Sequence, residues 1–105
     1  MRVSDDRRTV HVRIKGMVQG VGYRAWTECN ARALGLGGWV RNWRDGTVEA
    51  LFCGAAGQVE KMLARSREGP PGAVVEEVAV VEEGGDAPVG FAVLPTGCYK
   101  PLDKC

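Results

Sequence analysis

A chain of 105 residues with a net charge of +1 has room for a single domain, residues 1–105, and gives no general electrostatic reason to bind nucleic acid or a membrane surface. Its composition, 45% apolar and 26% charged, is that of a soluble globular protein, and no apolar run approaches the ~18 residues of a membrane span. The N-terminal segment lacks the apolar centre of a signal peptide, so the expected setting is the cytoplasm and the expected state a monomer.

The core is expected over about residues 9–95. The first eight residues are polar and read as a frayed end. From Thr9 to Lys15, Val10, Val12 and Ile14 alternate with polar neighbours, which predicts a strand with one buried face. His11, Arg13 and Lys15 then point the other way. His11 is the only histidine, and its alternation places it on the solvent face rather than at a reaction centre.

Gly16, Gly20 and Gly22 follow, with Arg24 just beyond them. Glycine lets a backbone curl with positive φ and approach a ligand closely. If such a curl opens a helix, unpaired N–H groups converge at the positive end of the helix dipole and attract an anion. Arg24 adds a permanent charge whose forked donors suit a phosphate. A glycine-rich turn without a ligand would use the same glycines; it is the arginine at the helix start that speaks for an oxyanion.

The spacing predicts a helix over Tyr23–Leu34, with Trp26, Cys29, Ala33 and Leu36 on its buried side and Gly35 as its stop. Trp26 and Tyr23 read as packing residues. Gly38–Asn42 reads as a strand, Trp43–Gly46 as a turn carrying an Asp-Gly signal, and Thr47–Cys53 as the returning strand of a hairpin. Val48, Ala50 and Phe52 should share one face. Asn42, taken alone, reads as a strand-end residue satisfying its own backbone. Arg41 and Arg44 read as surface charges near the hairpin end. Glu28 and Asp45 make no acid–base pair.

A second helix is predicted over Ala56–Arg67, with Val59, Met62, Leu63 and Ser66 at i, i+3, i+4, i+7. The run Gly69-Pro70-Pro71-Gly72 breaks it. Val74–Glu82 reads as a strand with Val78 and Val80 in the core. Phe91–Leu94 reads as a short last strand with Phe91 and Val93 inward, and residues 96–105 as irregular. The order β-α-β-β-α-β predicts an α+β, ferredoxin-like split β-α-β sandwich: an antiparallel sheet with two helices on one face. That fold hosts many functions and settles none.

The cysteines are Cys29, Cys53, Cys98 and Cys105. No two form a Cys-x-x-Cys pair and the single His11 lies far from most of them, so a zinc site is not expected; no cofactor is expected either. Cys29 and Cys53 read as thiols in or near the core. A Cys98–Cys105 bridge is geometrically allowed, and nothing in the sequence calls for it.

Two stretches together resemble the signatures of the acylphosphatases. The first is Gly16-x-Val18-Gln19-Gly20-Val21-Gly22-Tyr23-Arg24. The second is Gly38-Trp39-Val40-Arg41-Asn42, continued by Gly46, Val48 and Gly54 at the family's spacing. The resemblance covers about Val10 to Leu94. It implies hydrolysis of an acyl phosphate to carboxylate and inorganic phosphate, without a metal or a covalent intermediate. By motif position it implies that Arg24 binds the phosphate, with the backbone amides of Gln19, Gly20, Val21, Gly22, Tyr23 and Arg24, and that Asn42 positions the attacking water. The side chain of Gln19 reads equally as loop-stabilising or as a ligand, and the expectation rests on its backbone N–H.

Two other readings compete. RNA-recognition domains share this order of elements, but Thr47–Cys53 offers only Phe52 as an aromatic, and it is predicted inward. A domain that binds an anion without turning it over would also fit the loop. A related domain opens a larger hydrogenase-maturation carbamoyltransferase with zinc motifs downstream; the absence of such a motif before Cys105 favours the free-standing enzyme.

Overall fold

Alternation decides the first strand. In β1 (Arg7–Met17), Val10, Val12 and Ile14 are fully buried, while His11 and Arg13 lie on the opposite face. The structure, a computed structural model, describes residues 6–85 and 88–97. Cys98, Cys105 and the expectation of a bridge between them lie outside the described residues.

The chain continues through α1 (Tyr23–Ala33), β2 (Gly37–Asn42), β3 (Val48–Ala55), α2 (Ala56–Glu68), β4 (Val74–Glu83) and β5 (Phe91–Val93). The strands form one sheet in the order β4-β1-β3-β2-β5. β1 pairs antiparallel with both β3 and β4, and β2 pairs antiparallel with β3. This is the ferredoxin-like arrangement expected from the order of elements. The sheet is mixed rather than antiparallel throughout, because β5 runs parallel to β2, with Gly38 opposite Phe91 and Val40 opposite Val93. The order of elements along the chain could not reveal the direction of this three-residue edge strand.

A single apolar core lies between the helices and the sheet. Val40, Val48, Ala50 and Phe52 contribute from the strands, and Val59, Met62 and Leu63 from α2. Each fully buried side chain of this size contributes about 1.5–3 kcal/mol through loss of apolar surface from water. Ser66 lies within the core because its hydroxyl donates back to the Met62 carbonyl at 2.8 Å. Gly38 permits the β2–β3 contact: a Cβ there would sit 1.8 Å from the Leu51 carbonyl oxygen.

Three expectations are corrected. The buried line of α1 is Tyr23, Thr27 and Ala31, not Trp26, Cys29 and Ala33. Trp26 is half-buried at the core's margin, and Cys29 and Ala33 are exposed. Apolarity alone rotates the helix, because Thr27 packs fully buried despite its hydroxyl and aligns with Tyr23 and Ala31. Val80, opposite Val12, is 40% exposed, as is Val93 opposite Val40. Both lie on edge strands, where one flank has no neighbouring strand. The tail is not wholly without pairing either: Gly97 bridges to Trp43. Among the described residues, no helix is long and apolar enough to cross a membrane.

Candidate active site

The loop between β1 and α1 is shaped by its glycines and held by its valines. Val18 is buried, fixing the loop to the core. Gly20 and Gly22 both take φ of 78°, the left-handed region that suits glycine. Gly22 is also the N-cap of α1, with no side chain to cap the helix, and the first turn carries no acidic residue. Trp26 N–H makes the first intrahelical bond, to the Gly22 carbonyl at 3.0 Å. The preceding helical N–H groups lack intrahelical acceptors, and the positive end of the helix dipole adds to their field.

Arg24 rises from this first turn. Its Nη1 donates to the Leu94 carbonyl at 3.4 Å, just past β5, and it forms no ion pair among the described residues. Asn42 ends β2 on the same face as the buried Val40. It pairs with Val48 on one side, and its carbonyl accepts from Gly97 N–H at 2.8 Å on the other. Its side-chain Oδ1 is buried with no hydrogen-bond partner among the described residues. An acceptor in that state is costly unless something donates to it.

Arg24 and Asn42 line one cleft of about 460 Å³, together with Gln19, Gly20, Gly22 and Tyr23 from the loop and helix start. Glu28 and Val93 complete its walls. Of the expected cradle residues, Val21 does not line the cleft; its side chain packs against the core. A larger groove of about 740 Å³ runs past Arg32, Trp39 and Phe91 and contains neither Arg24 nor Asn42. Size alone would select that groove; the convergence of an arginine, open helix amides and Asn42 selects the smaller cleft.

Other ionisable residues have structural partners. The Tyr23 hydroxyl donates to the Ser66 carbonyl at 2.7 Å, and burial pushes it up to about 12, so it stays protonated as a packing residue. Asp45 accepts from the Thr47 hydroxyl at 2.7 Å and the Thr47 N–H at 3.0 Å; these bonds, with Arg13 nearby, hold its carboxyl below the usual range. Glu28 pairs with Arg32 at 2.8 Å, one turn along α1. Among the described residues, no three His, Cys, Asp or Glu side chains are grouped to hold a metal ion.

The outer face of the sheet holds His11, hydrogen-bonded to Glu49, which also accepts from Trp43 Nε1 at 2.6 Å. Glu49 is nearly buried, which its place in the hairpin alternation did not foretell. This face carries two aromatics that a reading of β3 alone missed. Arg41 lies over Trp39 and Trp43, at 6.0 and 5.3 Å from the ring centroids, and Arg13 lies 5.6 Å over Trp43.

The acylphosphatase family model matches residues 10–93, which includes the loop, Arg24 and Asn42. The chain belongs to the acylphosphatase family. An acylphosphatase of Bradyrhizobium diazoefficiens is 52% identical over 96 residues, covering 86% of this chain and 97% of the relative. The solved acylphosphatase of Coxiella burnetii superposes with a TM-score of 0.81 at 34% identity, covering 85% of this chain and 94% of that one. A full-length HypF, in a phosphate- and nucleotide-bound form, matches with a TM-score of 0.81 at 26% identity, covering 93% of this chain but 13% of its own. The near-complete coverage of small acylphosphatases favours the hydrolase over a non-catalytic domain. The activity is that of a hydrolase acting on acyl phosphates, with inorganic phosphate as product.

Proposed function

We propose that Arg24 and the loop amides bind the phosphoryl group of an acyl phosphate while Asn42 holds the attacking water. The observation that carries this is the shared cleft, which Asn42 lines together with Arg24 and the open N-terminus of α1. The amides of Gln19, Gly20, Gly22, Tyr23 and Arg24 and the guanidinium surround the equatorial phosphoryl oxygens, where charge spreads in the transition state. Preorganised donors of this type are each worth about 2.7–4 kcal/mol in other enzymes.

Water hydrogen-bonds to the side-chain amide of Asn42, which directs a lone pair at phosphorus. The new P–O bond forms as the bond to the acyl oxygen breaks. The leaving group is a carboxylate with a pKa of roughly 4, so it departs as an anion without a general acid. The water's proton passes to the phosphate itself. An amide side chain neither gives nor takes a proton here; it orients. This chemistry needs no histidine, which suits a chain whose one histidine is engaged with Glu49 on the outer face.

The test is hydrolysis of benzoyl phosphate followed by ultraviolet absorbance, with and without a metal chelator. Turnover far above the uncatalysed rate and unchanged by chelator is expected. A rate equal to background would remove the enzyme reading, and loss of activity with chelator would remove the metal-free mechanism. The same reading extends to a cytoplasmic monomer, supported by the chain's modest size and ordinary composition. Sedimentation as a dimer at micromolar concentration would overturn the monomer.

A further inference from the structure

Gln19 lies at the centre of the phosphate loop, and its side chain leaves that loop. Its Nε2 donates two hydrogen bonds, to the carbonyls of Trp43 and Thr47, both at 2.8 Å. Those two residues flank the turn of the β2–β3 hairpin. The turn is closed by Trp43 N–H to the Thr47 carbonyl at 2.9 Å and Gly46 N–H to the Trp43 carbonyl at 3.1 Å. Asn42 is the residue immediately before it. We infer that Gln19 is a positioning residue that sets the phosphate loop against the hairpin carrying Asn42, and so fixes the line from held water to phosphorus. This rests on the roles proposed above for Arg24 and Asn42.

The two sides of the clip are held differently. The hairpin turn is secured independently of Gln19. Arg13 Nη1 donates to the Thr47 hydroxyl at 2.9 Å, Asp45 accepts from Thr47, and Trp43 Nε1 is held by Glu49. The loop is anchored to the core by Val18 and Val21, but a Cβ at Gly20 or Gly22 would meet nothing within 4 Å among the described residues, so the space beside those two glycines is open. The Gln19 side chain ties this stretch to the hairpin turn and uses both its N–H bonds to do so. The two acceptors are carbonyls, so the group must be a donor with a full Gln's reach. A carboxylate at that place would face two carbonyl oxygens and be repelled.

Phosphate affinity and turnover should respond differently to loss of the clip. Arg24 and the first-turn amides belong to α1 and remain together as one unit without Gln19. Binding of phosphate to that unit survives. The water held by Asn42 belongs to the hairpin, and its approach to phosphorus drifts once loop and hairpin separate. Misplacement of about 1 Å in a reacting pair costs on the order of 100-fold in rate.

The experiment compares wild type with Gln19→Met, which keeps length and volume but has no donor, and with Gln19→Glu. On benzoyl phosphate, kcat should fall about 10- to 100-fold in both variants. The competitive inhibition constant of inorganic phosphate should change by less than kcat does in the methionine variant, because Arg24 and the first-turn amides of α1 stay together while only the amides of residues 19 and 20 shift. Retained kcat in Gln19→Met, or equal losses of kcat and phosphate affinity, would overturn the assignment. If wild type itself does not hydrolyse the substrate, the proposed function falls; if wild type is active and Gln19→Met keeps its rate, only this inference falls. A measurement on the unmodified protein guards against variants that do not fold. The two side-chain amide protons of Gln19, followed by NMR, should exchange with solvent more slowly than those of an exposed Gln such as a free peptide shows. Exchange at the free-peptide rate would refute the clip.

Discussion

Replacing Tyr23 by Phe should cost stability at neutral pH and add it in strong alkali, relative to wild type. Tyr23 is 2% exposed and its hydroxyl donates to the Ser66 carbonyl at 2.7 Å. Removing that hydroxyl deletes one hydrogen bond and opens almost no volume, a loss of about 1 kcal/mol at pH 7. The hydroxyl of the folded protein is pushed up from 10.0 to about 12, chiefly by burial. A group whose folded pKa lies above its unfolded one gives its full stabilisation below the unfolded value and loses it as pH rises through the folded value. The window is therefore about pH 10 to 12, and the loss over it is on the order of 2–3 kcal/mol. Phenylalanine has nothing to lose there. That loss exceeds the ~1 kcal/mol advantage of the hydroxyl, so the two stability curves should cross inside this window. Lysines and thiols also titrate there, but they are common to both proteins and cancel in the difference. Urea unfolding followed by circular dichroism, in steps from about pH 8 to 12, measures both curves. Curves that stay parallel over the whole range would refute the reasoning.

Two further outcomes test the fold. Thr27 is fully buried in α1 and its hydroxyl has no hydrogen-bond partner among the described residues, so Thr27→Val should be neutral or stabilising by up to about 1 kcal/mol in urea unfolding; a loss of more than about 1 kcal/mol would show that the hydroxyl is satisfied after all. Gly38→Ala drives a Cβ to 1.8 Å from the Leu51 carbonyl oxygen and should lower stability by more than about 3 kcal/mol, whereas Gly20→Ala meets only its backbone strain at φ of 78° and should cost about 1–2 kcal/mol; similar losses at both sites would contradict the β2–β3 approach.

Much of this arrangement is legible in the residues because period reports burial. Val10, Val12 and Ile14 alternate and are buried; Val59, Met62, Leu63 and Ser66 recur at helical spacing and are buried. The glycines of the loop announced a backbone that only glycine takes easily, and Gly20 and Gly22 take it. What failed to show was of two kinds. Apolarity misplaced the face of α1, since Tyr23 and Thr27 pack despite their hydroxyls while Cys29 and Ala33 face solvent. Long-range geometry was silent: nothing local to Phe91–Val93 says that it pairs parallel with β2, and nothing local to Gln19 says that its amide reaches residues 43 and 47. A glutamine in a glycine loop reports only that a polar group is present. The partner is fixed by the fold.

The central claim divides the cleft into a phosphate-binding side and a water-holding side. The competitive inhibition constant of inorganic phosphate, measured on Arg24→Ala and Asn42→Ala with folding checked by circular dichroism, tests it most directly. Loss of the arginine's charge-assisted bonds, worth about 1.5–3 kcal/mol, should weaken phosphate binding roughly 10- to 100-fold in the first variant. In the second, phosphate binding should stay within about 3-fold of wild type while kcat falls about 100- to 1000-fold. An equal loss of phosphate affinity in both variants would contradict the division.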